Sequence, residues 1–291
     1  MKVLVIANPI AGGGKAPRYV DELEAALRSH DCDVETFLTG ASGDAKRRAG
    51  DIEDDVDRVV SVGGDGTLNE VVNGLADPSR IPIAQLPLGT ANILARELGF
   101  HWTPDQVAKT VADGRVRNLD LGIANGTRFV AVTSAGFDAM VTRDIQKHRT
   151  GALGARGYLM PTLRSAMQYH APTMRVTVDD GEPIEGALVV ISNIRNYAGL
   201  FSIADQACPD SGHLDVCLFP NGSHIALACY LAAALTRTVS KVTNVNYMTG
   251  KKILVDSDEP VAVEIDGDYV GDTPLEVTVE PGALPMLVPK A

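Results

Sequence analysis

The chain has 291 residues, 45% hydrophobic and 22% charged, a composition that excludes disorder and suits one large or two ordinary globular domains. Its 37 acidic against 26 basic side chains leave a net charge of −11, which argues against general nucleic-acid affinity, since that rests on clustered Lys and Arg. Cys32, Cys208, Cys217 and Cys229 contain no Cys-x-x-Cys pair, and the six histidines supply no zinc-binding spacing. A disulfide framework or zinc site is therefore not expected, and a reducing, cytoplasmic setting is.

The chain opens on short apolar runs, Val3–Ala7, Val59–Val62 and Ile81–Leu86, each beside glycine or proline. That is the pattern of parallel strands covered on both faces. Between them, Val20, Leu23 and Leu27, then Leu68, Val71, Val72 and Leu75, recur at helical spacing. Residues 1–122 are thus expected to form a three-layer α/β domain with a mostly parallel sheet, and the final segment 281–291 is a candidate to return to it. After Val116 the texture changes. Arg128–Ser134, Met174–Val178, Ala187–Ser192, Leu214–Phe219, Ile253–Val255, Val261–Ile265 and Leu275–Val279 read as strands, several alternating polar and apolar residues, with Asp-Gly turns at Asp180-Gly181 and Asp266-Gly267. An antiparallel β-sandwich over 123–280 follows. The longest apolar stretch, Ile225–Leu235, is too short to span a bilayer and reads as a helix buried in that domain.

Three loops carry chemistry. Gly12-Gly13-Gly14-Lys15 follows the first strand, but Pro9 and Ala16 rule out a Walker A motif. Main-chain N–H groups at such a strand-to-helix turn can still face a phosphate. Gly63-Gly64-Asp65-Gly66-Thr67-Leu68-Asn69-Glu70 is more specific, although Asn69 stands where a dinucleotide fingerprint needs its third glycine. Thr67 and Glu70 have capping-box spacing, the glycines would let a polyphosphate approach the backbone, and Asp65 is the natural partner of a magnesium ion that travels with ATP. Leu86-Pro87-Leu88-Gly89-Thr90-Ala91-Asn92 again leads a strand into a capped helix. Loops after successive parallel strands gather on one sheet edge, where open α/β sheets bind ligands.

Asn8-Pro9 with Ala11-Gly12-Gly13, the Gly-Gly-Asp-Gly-Thr-Leu-Asn-Glu run and Pro87–Asn92 resemble the diacylglycerol kinase catalytic-domain family, which includes bacterial lipid kinases and the sphingosine and ceramide kinases. Further matches lie at Ala135-Gly136-Phe137-Asp138-Ala139 and around Ile265-Asp266-Gly267-Asp268. The glycine–aspartate core alone also occurs in NAD kinases; the flanking motifs favour the lipid enzymes. The resemblance implies an ATP- and Mg2+-dependent transfer of the γ-phosphate to a lipid hydroxyl, with the nucleotide between the two domains. NAD kinase, and a nucleotide- or lipid-binding protein without turnover, are the alternatives.

Residue by residue, the resemblance assigns nucleotide contact to Asn8, Gly12, Gly13, Thr39, Gly63, Gly64, Asp65, Gly66, Thr67, Leu68, Asn69 and Thr90. Lys15 and Arg96 would stabilise transferring charge, or else are solvated surface cations. In Asp266-Gly267-Asp268, Asp266 matches the family's first aspartate and is the expected base, whereas Asp268 replaces the usual glutamate with a shorter arm; a plain hairpin turn is the competing reading. A structural magnesium is implied at Cys208, Asp210, Ser211 and His213, but Ser211 stands where relatives carry aspartate, a far better ligand for a hard cation. From Arg143 to Arg175, six basic residues face Asp144 alone. This stretch reads either as an amphipathic core helix with a basic edge or as a surface meeting anionic lipid at the inner membrane face.

Overall fold

The N-terminal apolar runs form the parallel strands expected of them. The computed structural model describes residues 1–99, 103–148, 171–197 and 201–290. The chain divides into two units, Met1–Leu121 with Pro281–Ala291, and Gly122–Glu280.

In the first unit, β1 (Lys2–Ala7), β2 (Asp33–Leu38), β3 (Arg58–Gly63) and β4 (Ile83–Pro87) pair in parallel in the order β2-β1-β3-β4. The end of the last strand of the chain, Leu275–Val288, runs parallel beside β4, with Met286 opposite Ile83. The central strands β1 and β3 are nearly all buried, while β2 lies on the edge and is partly exposed, which is why its sequence shows no apolar run. Helices α1 (Ala16–Ser29) and α5 (Pro104–Asp113) cover one face: Val20, Leu23 and Leu27 meet Val107, Ala108 and Val111 over Val3, Val5, Val60, Val62, Ala84 and Leu86. Helices α2 (Asp44–Gly50) and α3 (Asp65–Gly74) pack on each other. A short helix, α4 (Ile93–Glu97), follows β4.

The expected capping box does not form. Helix α3 starts two residues before Thr67, with Gly64 as its N-cap, because the chain turns sharply at the glycine pair. Thr67 lies inside the first turn and packs on the bare α-carbon of Gly63. Glu70 reaches away from its own helix: Oε1 accepts the Gly43 N–H at 2.9 Å and the Ser42 hydroxyl at 3.3 Å, and Oε2 accepts the Ala45 N–H at 3.2 Å. It therefore caps α2, supplying acceptors to N–H groups that no helical carbonyl can serve.

In the second unit, β5 (Arg115–Ala124) enters from the first unit and forms a hairpin with β6 (Thr127–Phe129). Strands β7 (Val132–Ala135), β10 (Leu188–Ser192), β13 (Leu214–Phe219), β14 (Asn246–Gly250), β16 (Ala262–Ile265) and β17 (Asp268–Asp272) make one antiparallel sheet, in the order β14-β13-β10-β7-β16-β17. Strands β8 (Met174–Val178), β9 (Ile184–Gly186), β15 (Lys252–Ser257) and the start of β18 (Leu275–Val288) make a second. Val189, Ile191, Val216, Leu218, Val263 and Ile265 from one sheet share a core with Met174, Val176, Ile253, Val255, Leu275 and Val277 from the other, which is the β-sandwich the alternation predicts. The short pair β11 (Asn196–Tyr197) and β12 (Phe201–Ser202) lies apart from both.

Two expectations need correction here. The predicted strand Arg128–Ser134 is broken between Phe129 and Val132, because the N–H groups of Val130, Ala131 and Val132 turn to a side chain instead of a ladder. The helix α7 (His224–Thr236) buries only Tyr230, Ala233 and Ala234, and leaves Ile225, Leu231 and Leu235 exposed. Much of the basic stretch lies outside the described residues, including Arg149, Arg156 and Arg164. Of its described cations, Arg143 lies in α6 (Phe137–His148) with its guanidinium 5.8 Å from the centre of the Tyr269 ring, and Arg175 in β8 is paired with Asp256 and Asp258.

Replacing Glu70 by Ala should cost about 1–2 kcal/mol of stability, the size of a lost helix cap. Urea unfolding of Glu70→Ala measures it; an unchanged midpoint would remove Glu70 from the fastening of α2.

Candidate active site

In a parallel sheet every strand ends on the same edge, so the register decides which loops become neighbours. Ala7 lies opposite both Leu38 and Val62, and Gly63 lies opposite Pro87. Asn8, Thr39, Gly63 and Gly64, and the loop from Leu88 to Asn92 therefore gather at one edge. Main-chain bonds sew them together: Asn8 N–H to Val62 O (2.9 Å), Thr39 N–H to Ala7 O (2.9 Å) and Leu88 N–H to Gly63 O (2.8 Å).

Gly12, Gly13 and Gly14 follow in the left-handed region, at φ 63°, 68° and 84°, a run that side chains would oppose. Lys15, exposed, directly precedes α1. At the second loop, a Cβ on Gly64 would come within 3.1 Å of the Gly89 α-carbon, so the second and third loops touch backbone to backbone. Asn92 holds Gly89 from both sides, its Oδ1 accepting the Gly89 N–H (2.8 Å) and its Nδ2 donating to the Gly89 carbonyl (2.9 Å).

Asp65 links the same two loops. Its Oδ1 accepts the first N–H of α4, from Ile93, at 2.6 Å, while Asp65 itself begins α3. The carboxylate is thus held by main chain near two helix N-termini, where negative charge is favoured. Gly66 is exposed in the first turn of α3 and Thr90 in the loop after β4, Asn69 is half-buried and Leu68 is core. Arg96 folds back, its Nε donating to the Ala91 carbonyl at 2.6 Å.

The second unit presents a different construction. Asp266 and Gly267, at φ 46° and 88°, form a two-residue hairpin turn between β16 and β17, with Ile265 opposite Asp268. The Asp266 Oδ1 accepts the N–H groups of Ala131 (2.9 Å) and Val132 (3.0 Å), and Oδ2 that of Val130 (2.9 Å). Three main-chain N–H groups thus fix the position of this carboxylate. The hairpin reading and the functional reading therefore meet at one residue, and the turn is fastened by the side chain expected to be the base. Asp268 is exposed at the start of β17.

Sequence reasoning missed the groups beneath this turn. Glu264 is 1% exposed and its Oε2 accepts the Gly267 N–H at 2.7 Å. Opposite it on β7 is Ser134, whose hydroxyl donates to Asp138 Oδ2 at 2.9 Å, and Tyr197 also bonds to Asp138. Burial, then the nearby Asp138 charge, pushes the Glu264 carboxyl well above its ordinary range; burial raises Asp138 as well, against the pull of its Tyr197 and Ser134 bonds. Two carboxyl groups buried in one place resist ionising together. A Glu within an alternating strand, rather than a surface loop, was the signal available.

The loop of the implied structural cation carries several hydrogen bonds of its own. The Cys208 carbonyl accepts the Ser211 N–H (3.2 Å), the Ser211 hydroxyl donates to the His213 carbonyl (3.0 Å), and His213 Nδ1 lies 3.1 Å from the Ser211 carbonyl. The Cys208 thiol points at Asp210 Oδ1 (3.1 Å). Among the described residues no three His, Cys, Asp or Glu side chains are placed to hold a metal. Cys208, Asp210, Ser211 and His213 thus form a loop closed by hydrogen bonds of its own.

Two family models match the chain. The model of the diacylglycerol kinase catalytic domain matches residues 2–124, and that of the YegS C-terminal NAD kinase beta sandwich-like domain matches 131–288. A diacylglycerol kinase of Mycobacterium tuberculosis is 28% identical over 298 residues, covering 99% of this chain and 96% of the relative. One of Staphylococcus saprophyticus is 26% identical over 274 residues, covering 93% and 90%. A crystal structure of a diacylglycerol kinase from Bacillus anthracis superposes with a TM-score of 0.80 at 28% identity, covering 98% of this chain and 96% of that one. An NAD kinase from Archaeoglobus fulgidus in complex with ATP shares the fold alone, with a TM-score of 0.54 at 16% identity over 98% and 92% of the two chains.

Two measurements test these assignments. Glu264 binds its proton more tightly folded than unfolded, so its contribution to stability falls as pH rises from the ordinary carboxyl range toward its raised folded value. Glu264→Gln, which keeps an oxygen for Gly267, should therefore gain stability relative to the parent between pH 5 and pH 8 in urea titrations; a pH-independent difference would contradict the buried pair. Ser211→Asp should acquire a Mg2+-dependent rise in melting temperature larger than that of the parent, in the absence of nucleotide. An equal response in both proteins would refute the self-closed loop.

Proposed function

Because the chain belongs to the family that joins a diacylglycerol kinase catalytic domain to a YegS-type C-terminal domain, we propose that it is a lipid kinase. It transfers the γ-phosphoryl group of ATP to the hydroxyl of a diacylglycerol-like lipid. The observation that carries the reading is the gathering of Asn8, Thr39, Gly63, Gly64 and the Gly89–Asn92 loop on one sheet edge, held there by the Asp65–Ile93 bond and the Gly64–Gly89 contact. Phosphoryl transfer asks little covalent chemistry of a protein and depends on positioning and electrostatics. Main-chain N–H groups at this edge would bind the phosphates, with Lys15 adding a mobile positive charge.

Magnesium arriving with ATP would offset phosphate charge, and the fixed carboxylate of Asp65, a hard oxygen donor, fits that ion. In the transfer, the acceptor oxygen forms its bond to the γ-phosphorus as the bond to the ADP oxygen breaks, and the hydroxyl proton leaves to a carboxylate. That carboxylate is Asp268 in this reading, with Asp266 acting as the anchor that places it.

Incubation with labelled ATP tests the acceptor, using mixed micelles of diacylglycerol, phosphatidylglycerol, a sphingoid base or ceramide, and NAD in solution. Label in a lipid supports the proposal; label only in the dinucleotide, or ATP binding with no transfer, overturns it. Asp268→Asn should lower kcat by about 100-fold or more with an unchanged urea midpoint, the range expected for a lost general base. Asp266→Asn turns one accepting oxygen into a donor facing main-chain N–H groups and should cost roughly 1–3 kcal/mol of stability. The opposite pattern in the two variants would return the base to Asp266.

A further inference from the structure

Helix α7 has a surface that its own unit does not account for. A helix lying on a globular domain ordinarily turns polar side chains to water, and one that is apolar all round is ordinarily buried. This one is apolar all round and half exposed. Tyr230, Ala233 and Ala234 face inward, the Tyr230 ring 4.7 Å from that of Phe219 and its hydroxyl accepting from Asn244 at 3.2 Å. Outward stand Ile225, Leu231 and Leu235, exposed by 80%, 50% and 56%, with Ala228, Cys229 and Ala232 exposed on the same arc.

The segment that carries this helix has charge of one sign. Between Asp215 and Asp256 the chain carries no acidic residue, in a protein whose net charge is −11. The exposed cations Arg237 and Lys241 stand just past the helix end, and Asp205, from another segment, accepts from Ser240. A contact between two copies of this segment would offer Arg237 and Lys241 no acidic partner from the segment itself, whereas an anionic lipid surface offers opposite charge. Thirteen residues are too few to cross a bilayer, and among the described residues no helix is long and apolar enough to do so.

We infer that α7 lies in the plane of an anionic membrane surface, with Ile225, Leu231 and Leu235 immersed among the lipids and Arg237 and Lys241 on the headgroups. This deepens the lipid-kinase reading and rests on it only for the reason the protein visits a membrane. It moves the contact from the Arg143–Arg175 stretch to a different element.

Co-sedimentation with vesicles of phosphatidylcholine, with and without phosphatidylglycerol, tests the surface. The Ile225→Glu, Leu231→Glu and Leu235→Glu triple variant should bind mixed vesicles at least 10-fold less than the parent, and lose activity on vesicle-borne acceptor in proportion. Its turnover of a short-chain diacylglycerol kept below its micellar concentration should be unchanged, which also certifies its fold. A gentler Arg237→Gln, Lys241→Gln variant should lose binding only where phosphatidylglycerol is present. Undiminished vesicle binding by the triple variant overturns the inference, as does a parent dimer that the triple variant dissociates while vesicle binding persists. A parent that binds vesicles through this face but phosphorylates neither acceptor would sink the kinase reading and leave the docking surface standing.

Discussion

The nucleotide half of the candidate site depends on one hydrogen bond, from the Ile93 N–H to Asp65 Oδ1. It joins the glycine loop after β3 to the loop after β4 at the point where Gly64 and Gly89 touch. A side chain on either glycine would push the loops apart, and an alanine at Asp65 would leave the N-terminus of α4 without its acceptor. The carboxylate proposed to meet magnesium is therefore also a structural clasp. Fixing it costs the free protein nothing further when a ligand arrives, which is how a preorganised electrostatic site differs from a flexible one.

The second unit solves a similar problem with opposite means. Asp266 sits in a tight turn and gathers three N–H groups from the gap between β6 and β7, so the hairpin and the interrupted strand specify each other. Beneath it Glu264 supports Gly267 from a buried position where charge is disfavoured. The turn is thus braced from both sides, and Asp268, the next residue along, inherits a defined starting point for its exposed side chain.

Departures from the family pattern can be judged by what fills the vacated role. Where Ser211 stands in place of aspartate, its hydroxyl donates to the His213 carbonyl and helps to close the loop. Where α7 presents leucine and isoleucine to water, nothing among the described residues of its unit covers them, and the cationic flank sets the kind of partner that can.

Much was legible in the sequence. The buried runs of β1, β3 and β4, the alternation of the sandwich strands and the glycine-rich loops are local patterns, set by backbone geometry and by which face meets water, and they fixed the fold class and the edge on which Asn8, Thr39, Gly63 and Thr90 meet. The edge strand β2 was harder to see because half-exposure erases its apolar signal. Partners far apart in the chain were beyond local reading. Glu70 fits a capping box by spacing, yet serves α2, because a carboxylate goes to whichever unsatisfied N–H groups the packing brings near. Asp266 reads equally as turn or base until the loop 135 residues away supplies its donors, and α7 reads as core until the sheet it rests on proves able to cover only one of its faces.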